Sequence, residues 1–268
     1  MRRSRLTGLL SSLLLAAGLG LTGAASAHAS DTAAAGGYVA LGDSYSSGVG
    51  AGSYISSSGS CDRSTKAYPY LWNAAHSYSS FAFNACSGAK TDDVLANQLG
   101  SLSSATSLVS LTIGGNDAGF SDVMTTCVIQ SDSACLSKID TARAYVANTL
   151  PGKLDTVYNA ISAKAPSAHV VVIGYPRFYL LGQTCLGLSE TKRSAINGAA
   201  DYIDTVIKAR ATAHNFAFGD VRNTFTGHEI CSGDSWLHSV NWLDIGTSYH
   251  PTAAGHSGGY LPVLTNAA

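Results

Sequence analysis

The chain has 268 residues, of which 46% are hydrophobic and only 12% are charged. Its 16 lysines and arginines are matched by 17 aspartates and glutamates, which gives a formal net charge of -1. This composition argues against a disordered chain, which needs low hydrophobicity and high net charge. It also argues against a nucleic-acid-binding protein, which needs a basic excess to displace counterions from phosphates.

The N-terminal segment predicts export. Arg2, Arg3 and Arg5 precede an apolar stretch at 6–21, and the small residues at 25–29 offer two A-x-A cleavage sites. This order is typical of a secretory signal peptide. The apolar stretch is too short, and too often interrupted by glycine and serine, for a membrane span of about 20 apolar residues. We predict a signal peptide at 1–29, with its cleavage point left open, and a secreted mature protein.

The six cysteines predict disulfides in an exported chain. They are Cys61, Cys86, Cys127, Cys135, Cys185 and Cys231. An even number in an oxidising compartment suggests three bridges, and no pair has the C-x-x-C spacing of a zinc or redox site. Sequence alone does not choose among the pairings, of which chain order is the simplest. Each bridge would then close a short loop and stabilise the fold by roughly a few kcal/mol.

Short apolar runs that end at glycine or polar turns predict buried strands. The runs are 38–41, 81–83, 108–113, 169–173 and 216–218. Segments with helical character lie between them or follow them, at 67–75, 91–99, 139–165 and 190–214. Pro151 predicts a break or a kink in the third segment, which would then be two helices or one bent helix. Strands that alternate with helices specify a parallel sheet covered on both faces, so we predict an α/β/α sandwich with five strands.

This sandwich is predicted to be a single domain over residues 30–268. The Ser- and Gly-rich stretch at 46–60 is predicted to be an irregular surface loop, because such composition rarely forms a regular element.

Polar or glycine-flanked groups follow the first three predicted strands, at the point where each strand ends. They are Ser44, Gly88 and Asn116. Because ligands gather at the carboxyl ends of the strands in such sheets, we expect these three residues to lie together. A hydroxyl, a backbone N–H beside a glycine and a side-chain amide are parts of an acyl-transfer site. They supply a nucleophile and donors to the oxyanion.

Such a site also needs a base, and His250 is the best candidate among the eight histidines. Pro251 favours an extended backbone at His250, and a final helix is predicted to begin after it. His228 and His238, in the loop-rich region near Cys231, remain alternatives from the sequence alone.

Four motifs in this order resemble the four sequence blocks of the SGNH (GDSL-type) hydrolases. They are Gly42-Asp43-Ser44, Gly88 after Cys86-Ser87, Gly115-Asn116-Asp117 and His250-Pro251. The resemblance extends over 38–255, and the six cysteines are most similar to those of the secreted bacterial lipases and esterases in that family. It implies a flavodoxin-like arrangement of the predicted sandwich and hydrolysis of carboxylic esters, with lipid esters such as triacylglycerols as the expected substrates.

Carried over residue by residue, the resemblance implies that Ser44 is the nucleophile and His250 the general base. The N–H groups of Ser44 and Gly88 and the side-chain amide of Asn116 are then the oxyanion donors. A serine hydroxyl needs an imidazole within hydrogen-bond reach to take its proton. The motifs G-x-G-x-x-G, G-K-[ST] and H-E-x-x-H are absent, so no metal or other cofactor is predicted.

The chain departs from the family three residues before the histidine, where an aspartate is usual and Thr247 stands here. A backbone carbonyl also accepts the Nδ1–H bond that the aspartate would accept. We therefore predict a dyad oriented by the carbonyl of Ser248, with Asp244 as the alternative. Asp43 is predicted to be structural, and Asp117 is predicted to form an Asx turn.

Two other functions stay open at this point. A phospholipase or a carbohydrate-ester deacetylase of the same fold would differ only in its acyl pocket. A secreted binding module would keep the fold without the chemistry. The expected partner is a lipid ester, at an interface or dispersed, and the protein is predicted to be a monomer that binds no nucleic acid and has no membrane span.

Overall fold

The computed structural model describes residues 36–268, and the predicted signal peptide lies outside them. In this part of the chain, five parallel strands form one sheet in the order β2-β1-β3-β4-β5. The strands are β1 (Gly37–Gly42), β2 (Phe81–Phe83), β3 (Thr106–Thr112), β4 (His169–Ile173) and β5 (Ala217–Gly219). The strand order reverses between β1 and β3, which is where such sheets form a crevice for ligands.

Helices flank the sheet, so the predicted α/β/α sandwich is confirmed. The helices are α1 (Ser44–Ser47), α2 (Tyr68–Ala75), α3 (Thr91–Asp93), α4 (Phe120–Ile129), α5 (Asp132–Asn148), α6 (Leu150–Lys164), α7 (Glu190–Ala213) and α8 (Leu261–Ala267). Short 3₁₀ turns occupy Ser56–Cys61, Leu99–Ser101 and Ile245–Thr247, and π-helical segments occupy Val94–Gln98 and Gly255–Tyr260. Pro151 is the second residue of α6, so the predicted break falls just before it.

The central strands are buried on both faces. Val171 and Val172 of β4 and Leu41 of β1 are fully inaccessible to solvent. Parallel strands with both faces covered read as continuous apolar runs, which is why the sequence predicts them well. The buried hydroxyl of Tyr38 is hydrogen-bonded to that of Ser110 at 2.7 Å, so its burial leaves no polar group unpaired.

Two helical segments differ from the sequence prediction. Helix α4 was not predicted, because it contains two threonines and two valines and buries only Val123, Met124 and Cys127. Helix α5 begins at Asp132, seven residues before the predicted start, because Ser131 caps it by accepting a hydrogen bond from the N–H of Ala134.

The stretch at 46–60 is also not uniformly an irregular surface loop. Ser46 and Ser47 belong to α1 and are fully buried. The hydroxyl of Ser46 is hydrogen-bonded to those of Tyr68 and Thr112 at 2.8 and 2.9 Å, so a polar residue is accommodated in the interior. The prediction of a surface loop, which rested on serine and glycine content, was therefore wrong for Ser46 and Ser47.

Three disulfides join the cysteines in chain order. They are Cys61–Cys86, Cys127–Cys135 and Cys185–Cys231. The first ties the loop after α1 to the loop after β2, and the second joins α4 to α5. None of the helices within 36–268 has the length and apolar character to cross a membrane.

Candidate active site

Ser44 stands at the carboxyl end of β1 as the first residue of α1. The carboxylate of Asp43 caps this helix by accepting a hydrogen bond from the N–H of Tyr45 at 3.0 Å. Gly42 has a φ of +118°, and a Cβ at this position would collide with the carbonyl oxygen of Thr112. The strand therefore turns sharply into α1, and the N–H of Ser44, unlike that of Tyr45, has no acceptor within residues 36–268.

His250 meets Ser44 across 206 residues of sequence. Its Nε2 lies 2.7 Å from Ser44 Oγ, and its Nδ1 lies 3.0 Å from the carbonyl oxygen of Ser248. A carbonyl oxygen only accepts, so Nδ1 carries the proton and Nε2 accepts from the serine hydroxyl. The backbone N–H of Asp244 donates to the carbonyl of Asn241, and no hydrogen bond joins the Asp244 carboxylate to His250 among the described residues.

Burial lowers the pKa of His250 to about 4. The hydrogen bond to the Ser248 carbonyl acts in the opposite direction, but it does not offset the loss of solvent around the ring. The imidazole is therefore neutral at neutral pH, which is the protonation state that a general base requires.

Asp43 has a structural role behind the nucleophile, as the sequence predicts. Its carboxylate accepts hydrogen bonds from the hydroxyls of Thr112 and Tyr175 as well as capping α1. Burial raises the pKa of Asp43 to about 6 in spite of these bonds. The carboxylate makes no hydrogen bond to His250 in the described part of the chain, so it does not orient the imidazole.

The loops after β2 and β3, which carry Gly88 and Asn116, are hydrogen-bonded to the end of β1 and to each other. The N–H of Cys86 donates to the carbonyl of Gly42 at 3.0 Å, so the β2 loop follows the end of β1. The side-chain amide of Asn116 donates to the carbonyl of Ala89 at 3.0 Å, which joins the β3 loop to it. The N–H of Gly88 has no acceptor within residues 36–268, and one N–H of the Asn116 amide also remains available.

A mostly apolar pocket that is partly open to solvent begins beside Ser44 and Asn116. Helices α4, α5 and α7 supply its walls, including Val123, Met124, Ile139, Val146, Ile196 and Ile203. Arg143 crosses between α5 and α7, where its guanidinium donates to the carbonyl of Gly198 at 3.0 Å and lies 4.6 Å above the ring centre of Tyr202. Gly88 lines a separate, more polar depression.

Comparison with known proteins decides the family. The model of the GDSL-like Lipase/Acylhydrolase family matches residues 40–257. This chain belongs to that family. The hydrolase is 75% identical to Lipase 1 of Streptomyces coelicolor over the full length of both chains. Its fold, its family and its class, an ester hydrolase, agree with what the sequence resemblance predicts.

Two solved structures are similar to this GDSL-like hydrolase. One is phospholipase A1 from Streptomyces albidoflavus, 68% identical with a TM-score of 0.87, covering 88% of this chain and 100% of that one. The other is an extracellular lipase from Streptomyces rimosus. It is 64% identical with a TM-score of 0.85, and the match covers 87% of this chain and 100% of that one.

Asp117 of this hydrolase does not form the predicted local Asx turn. Its carboxylate instead accepts from the N–H and the hydroxyl of Thr91, at 3.0 and 2.6 Å. Thr91 begins α3, whose first N–H groups have no partner within the helix, so an acceptor from the neighbouring loop caps them. Asp117 therefore has a structural role, because it joins the loop after β3 to the start of α3 after β2.

None of the other histidines within 36–268 is hydrogen-bonded to Ser44. His238 is hydrogen-bonded through Nε2 to the carbonyl of Gly50, and His228 through Nδ1 to that of Asp234. His256, which the sequence analysis did not assign, is fully buried, and burial lowers its pKa to about 3. No three histidine, cysteine or acidic side chains within 36–268 are grouped to hold a metal ion.

Tyr45 connects α1 to the turn before His250, a role that the sequence motifs do not predict. Its hydroxyl donates to the carbonyl of Tyr249 at 2.6 Å. Tyr249 has a φ of +67°, a left-handed conformation that is uncommon for a bulky residue. The hydrogen bond holds this turn beside α1, immediately before His250. Its only signal in the sequence is the position of Tyr45 next to Ser44.

Proposed function

We propose that this hydrolase is a secreted lipase, which cleaves carboxylic esters of lipids through an acyl-enzyme on Ser44 with His250 as the base. The observation that carries the proposal is the 2.7 Å contact between Ser44 Oγ and His250 Nε2 beside an apolar pocket. A hydroxyl with an adjacent neutral imidazole is an activated nucleophile. An apolar pocket beside it accommodates an acyl chain.

The reaction begins when Ser44 Oγ attacks the ester carbonyl and its proton passes to His250 Nε2. The carbonyl oxygen becomes an oxyanion, which the N–H groups of Ser44 and Gly88 and the amide of Asn116 stabilise. The intermediate collapses as His250 returns the proton to the departing alcohol, leaving an acyl-enzyme. Water, activated by the same imidazole, then attacks the acyl-enzyme and releases the fatty acid.

The Ser248 carbonyl takes the place of the third catalytic residue. It fixes the tautomer of His250, so that Nε2 faces Ser44. An uncharged carbonyl stabilises the imidazolium less than a carboxylate does, and it does not offset the burial that lowers the pKa of the histidine to about 4.

The acyl chain is proposed to lie in the pocket between α4, α5 and α7. Each methylene that leaves water for this apolar lining contributes roughly 0.8 kcal/mol to binding. The catalytic efficiency is therefore expected to rise with acyl length until the pocket is filled. A carbohydrate-ester deacetylase has no such requirement, because an acetyl group leaves most of the pocket empty.

A series of p-nitrophenyl esters from acetate to palmitate, run on the wild type beside Ser44→Ala, tests this function. For the wild type we expect kcat/KM to rise several-fold across the short chains and to be highest for a medium or long one. Ser44→Ala is expected to show no turnover above buffer at any length. A wild type that prefers acetate would contradict the lipase, and activity retained in Ser44→Ala would contradict the acyl-enzyme.

A matched pair of variants on α5 ties the chain-length profile to the pocket. Ala142 lines the pocket, whereas Ala144 on the same helix is exposed. Ala142→Leu is expected to shift the preferred ester to shorter chains, and Ala144→Leu is expected to leave the profile unchanged. An identical profile in both variants would place the acyl chain elsewhere.

A phospholipase A1 activity is the second candidate, because a solved structure of that description is 68% identical to this chain. Both candidates use the same serine, base and acyl pocket and differ in the alcohol that leaves. Rates on triolein and on dioleoyl phosphatidylcholine, with the position of cleavage read by mass spectrometry, separate them.

The proposed location is extracellular. The three disulfides are typical of an oxidising compartment, and the similar Streptomyces rimosus protein is described as extracellular. We further propose that the enzyme acts as a monomer without a nucleic-acid partner. The balance of 16 basic and 17 acidic side chains supports the second point.

A further inference from the structure

Residues 242–246 form an exposed loop with three large apolar side chains. Trp242 is 72% exposed, Leu243 100% and Ile245 64%. Seven large apolar side chains are exposed within 36–268, and three of them fall in this one loop. Isolated apolar residues at a surface need no explanation, but a cluster of them marks an interaction site.

Hydrogen bonds hold the exposed loop in this conformation. The side-chain oxygen of Asn241 accepts from the N–H groups of Leu243 and Asp244, at 3.1 and 3.3 Å. The N–H of Asn241 donates to the hydroxyl of Ser248 at 2.9 Å, which closes the base of the loop. The apolar side chains are therefore presented to solvent by a bonded turn.

The exposed loop is continuous with the active site. The chain re-enters the protein at Ser248, which is buried and whose carbonyl faces Nδ1 of His250. The N–H of Tyr249 donates to the carbonyl of His238, which anchors the returning segment. The exposed loop thus ends four residues before His250 in the chain.

We propose that the exposed loop seats the enzyme on the surface of a neutral or zwitterionic lipid aggregate. This inference rests on the proposed function, since an enzyme that cleaves lipids must reach substrate within an aggregate. Trp242 suits this contact, because tryptophan favours the boundary between water and lipid. Asp244 is the single charged residue of 239–249, which contains no lysine or arginine. Attraction to anionic lipid requires such basic residues, so the apolar side chains supply the binding.

Sedimentation with sucrose-loaded phosphatidylcholine vesicles tests this proposal. A Ser44→Ala parent is used so that the lipid stays intact. We expect the parent to bind, and the triple variant Trp242→Ser, Leu243→Ser, Ile245→Ser to bind about tenfold or more weakly, because three apolar side chains no longer leave water. The single variant Leu243→Ser, at a fully exposed position, should show a smaller loss and serves if the triple variant does not fold.

Ile129→Ser is the matched control. Ile129 is 63% exposed, as Ile245 is 64%, but it ends α4 rather than lying in the exposed loop. The affinity of this variant for vesicles is expected to stay within about twofold of that of the parent. Loss of an apolar side chain weakens binding only where that side chain contacts the lipid. Equal losses in the control and in the loop variants would overturn the assignment to this loop. Tighter binding on addition of phosphatidylglycerol, or loss of binding in high salt, would overturn the neutral-lipid preference.

A second readout uses the enzyme with Ser44 intact. The triple variant should hydrolyse soluble p-nitrophenyl acetate within about twofold of the wild type, yet cleave vesicular phosphatidylcholine or emulsified triolein about tenfold or more slowly. A wild type that cleaves no ester would refute the proposed function, while vesicle binding would still be readable. A parent that does not bind vesicles but forms a dimer that the triple variant abolishes would assign the loop to a second copy and overturn the proposal.

Discussion

The His250→Ala variant is expected to lose roughly 10³- to 10⁴-fold or more in kcat on p-nitrophenyl butyrate, with KM changed little. The imidazole accepts the Ser44 proton through a 2.7 Å contact, and no other histidine in the described part of the chain bonds to this hydroxyl. The loss therefore falls on the chemical step. Steady-state kinetics measures this loss. The melting temperature of the variant should remain within a few degrees of that of the wild type.

Asp244→Ala is the control for this variant. The structure orients His250 through the carbonyl of Ser248, and the Asp244 side chain is exposed. We expect Asp244→Ala to retain most of the wild-type turnover. A drop as large as that of His250→Ala would mean that the aspartate, and not the carbonyl, completes the catalytic set.

The Asn116→Ala variant is expected to lower kcat by about 10²- to 10³-fold. A single oxyanion donor contributes roughly 3 kcal/mol to stabilisation of the transition state, and the second N–H of the Asn116 amide is the proposed donor. The ground-state ester carries no full charge on its oxygen, so KM should change far less than kcat. The same p-nitrophenyl butyrate assay separates the two constants.

Asp117→Ala separates catalysis from loop stability. It removes two hydrogen bonds to Thr91 in the same pair of loops without touching the amide of Asn116. Loss of a cap lowers the free energy of unfolding by about 1 kcal/mol. We expect Asp117→Ala to unfold more readily but to keep kcat within a few-fold of the wild type. Equal losses of kcat in the two variants would show that Asn116 acts by holding the loop.

The sheet was predictable from local sequence patterns, and the contact between Ser44 and His250 from the resemblance to the SGNH hydrolases. The strands β1 and β4 are buried on both faces, so each reads as a short apolar run, and β3 reads as one that Ser110 and Thr112 interrupt. Ser44 and Asn116 each follow the end of a strand, and parallel strands bring such ends to one edge. The order of the four motifs then identified His250 among eight histidines.

The apolar pocket was not predictable, because its walls come from helix faces that meet only in the folded chain. Helix α4 was missed altogether, and Ala142 and Ile196 belong to helices whose contact the sequence does not specify. The bond from Tyr45 to the carbonyl of Tyr249 joins residues 204 positions apart. Asp117 caps a helix in another loop, whereas turn rules consider only its own neighbours.

Labelling with a fluorophosphonate tests the central claim, that Ser44 is the nucleophile, most directly. Such a probe reacts with a serine only when a neighbouring base activates its hydroxyl. We expect the wild-type protein to gain one adduct, located by mass spectrometry on the peptide that contains Ser44. Ser44→Ala should gain none, and His250→Ala should react far more slowly. An adduct on another residue, or a wild type that is not labelled, would contradict this account of the site.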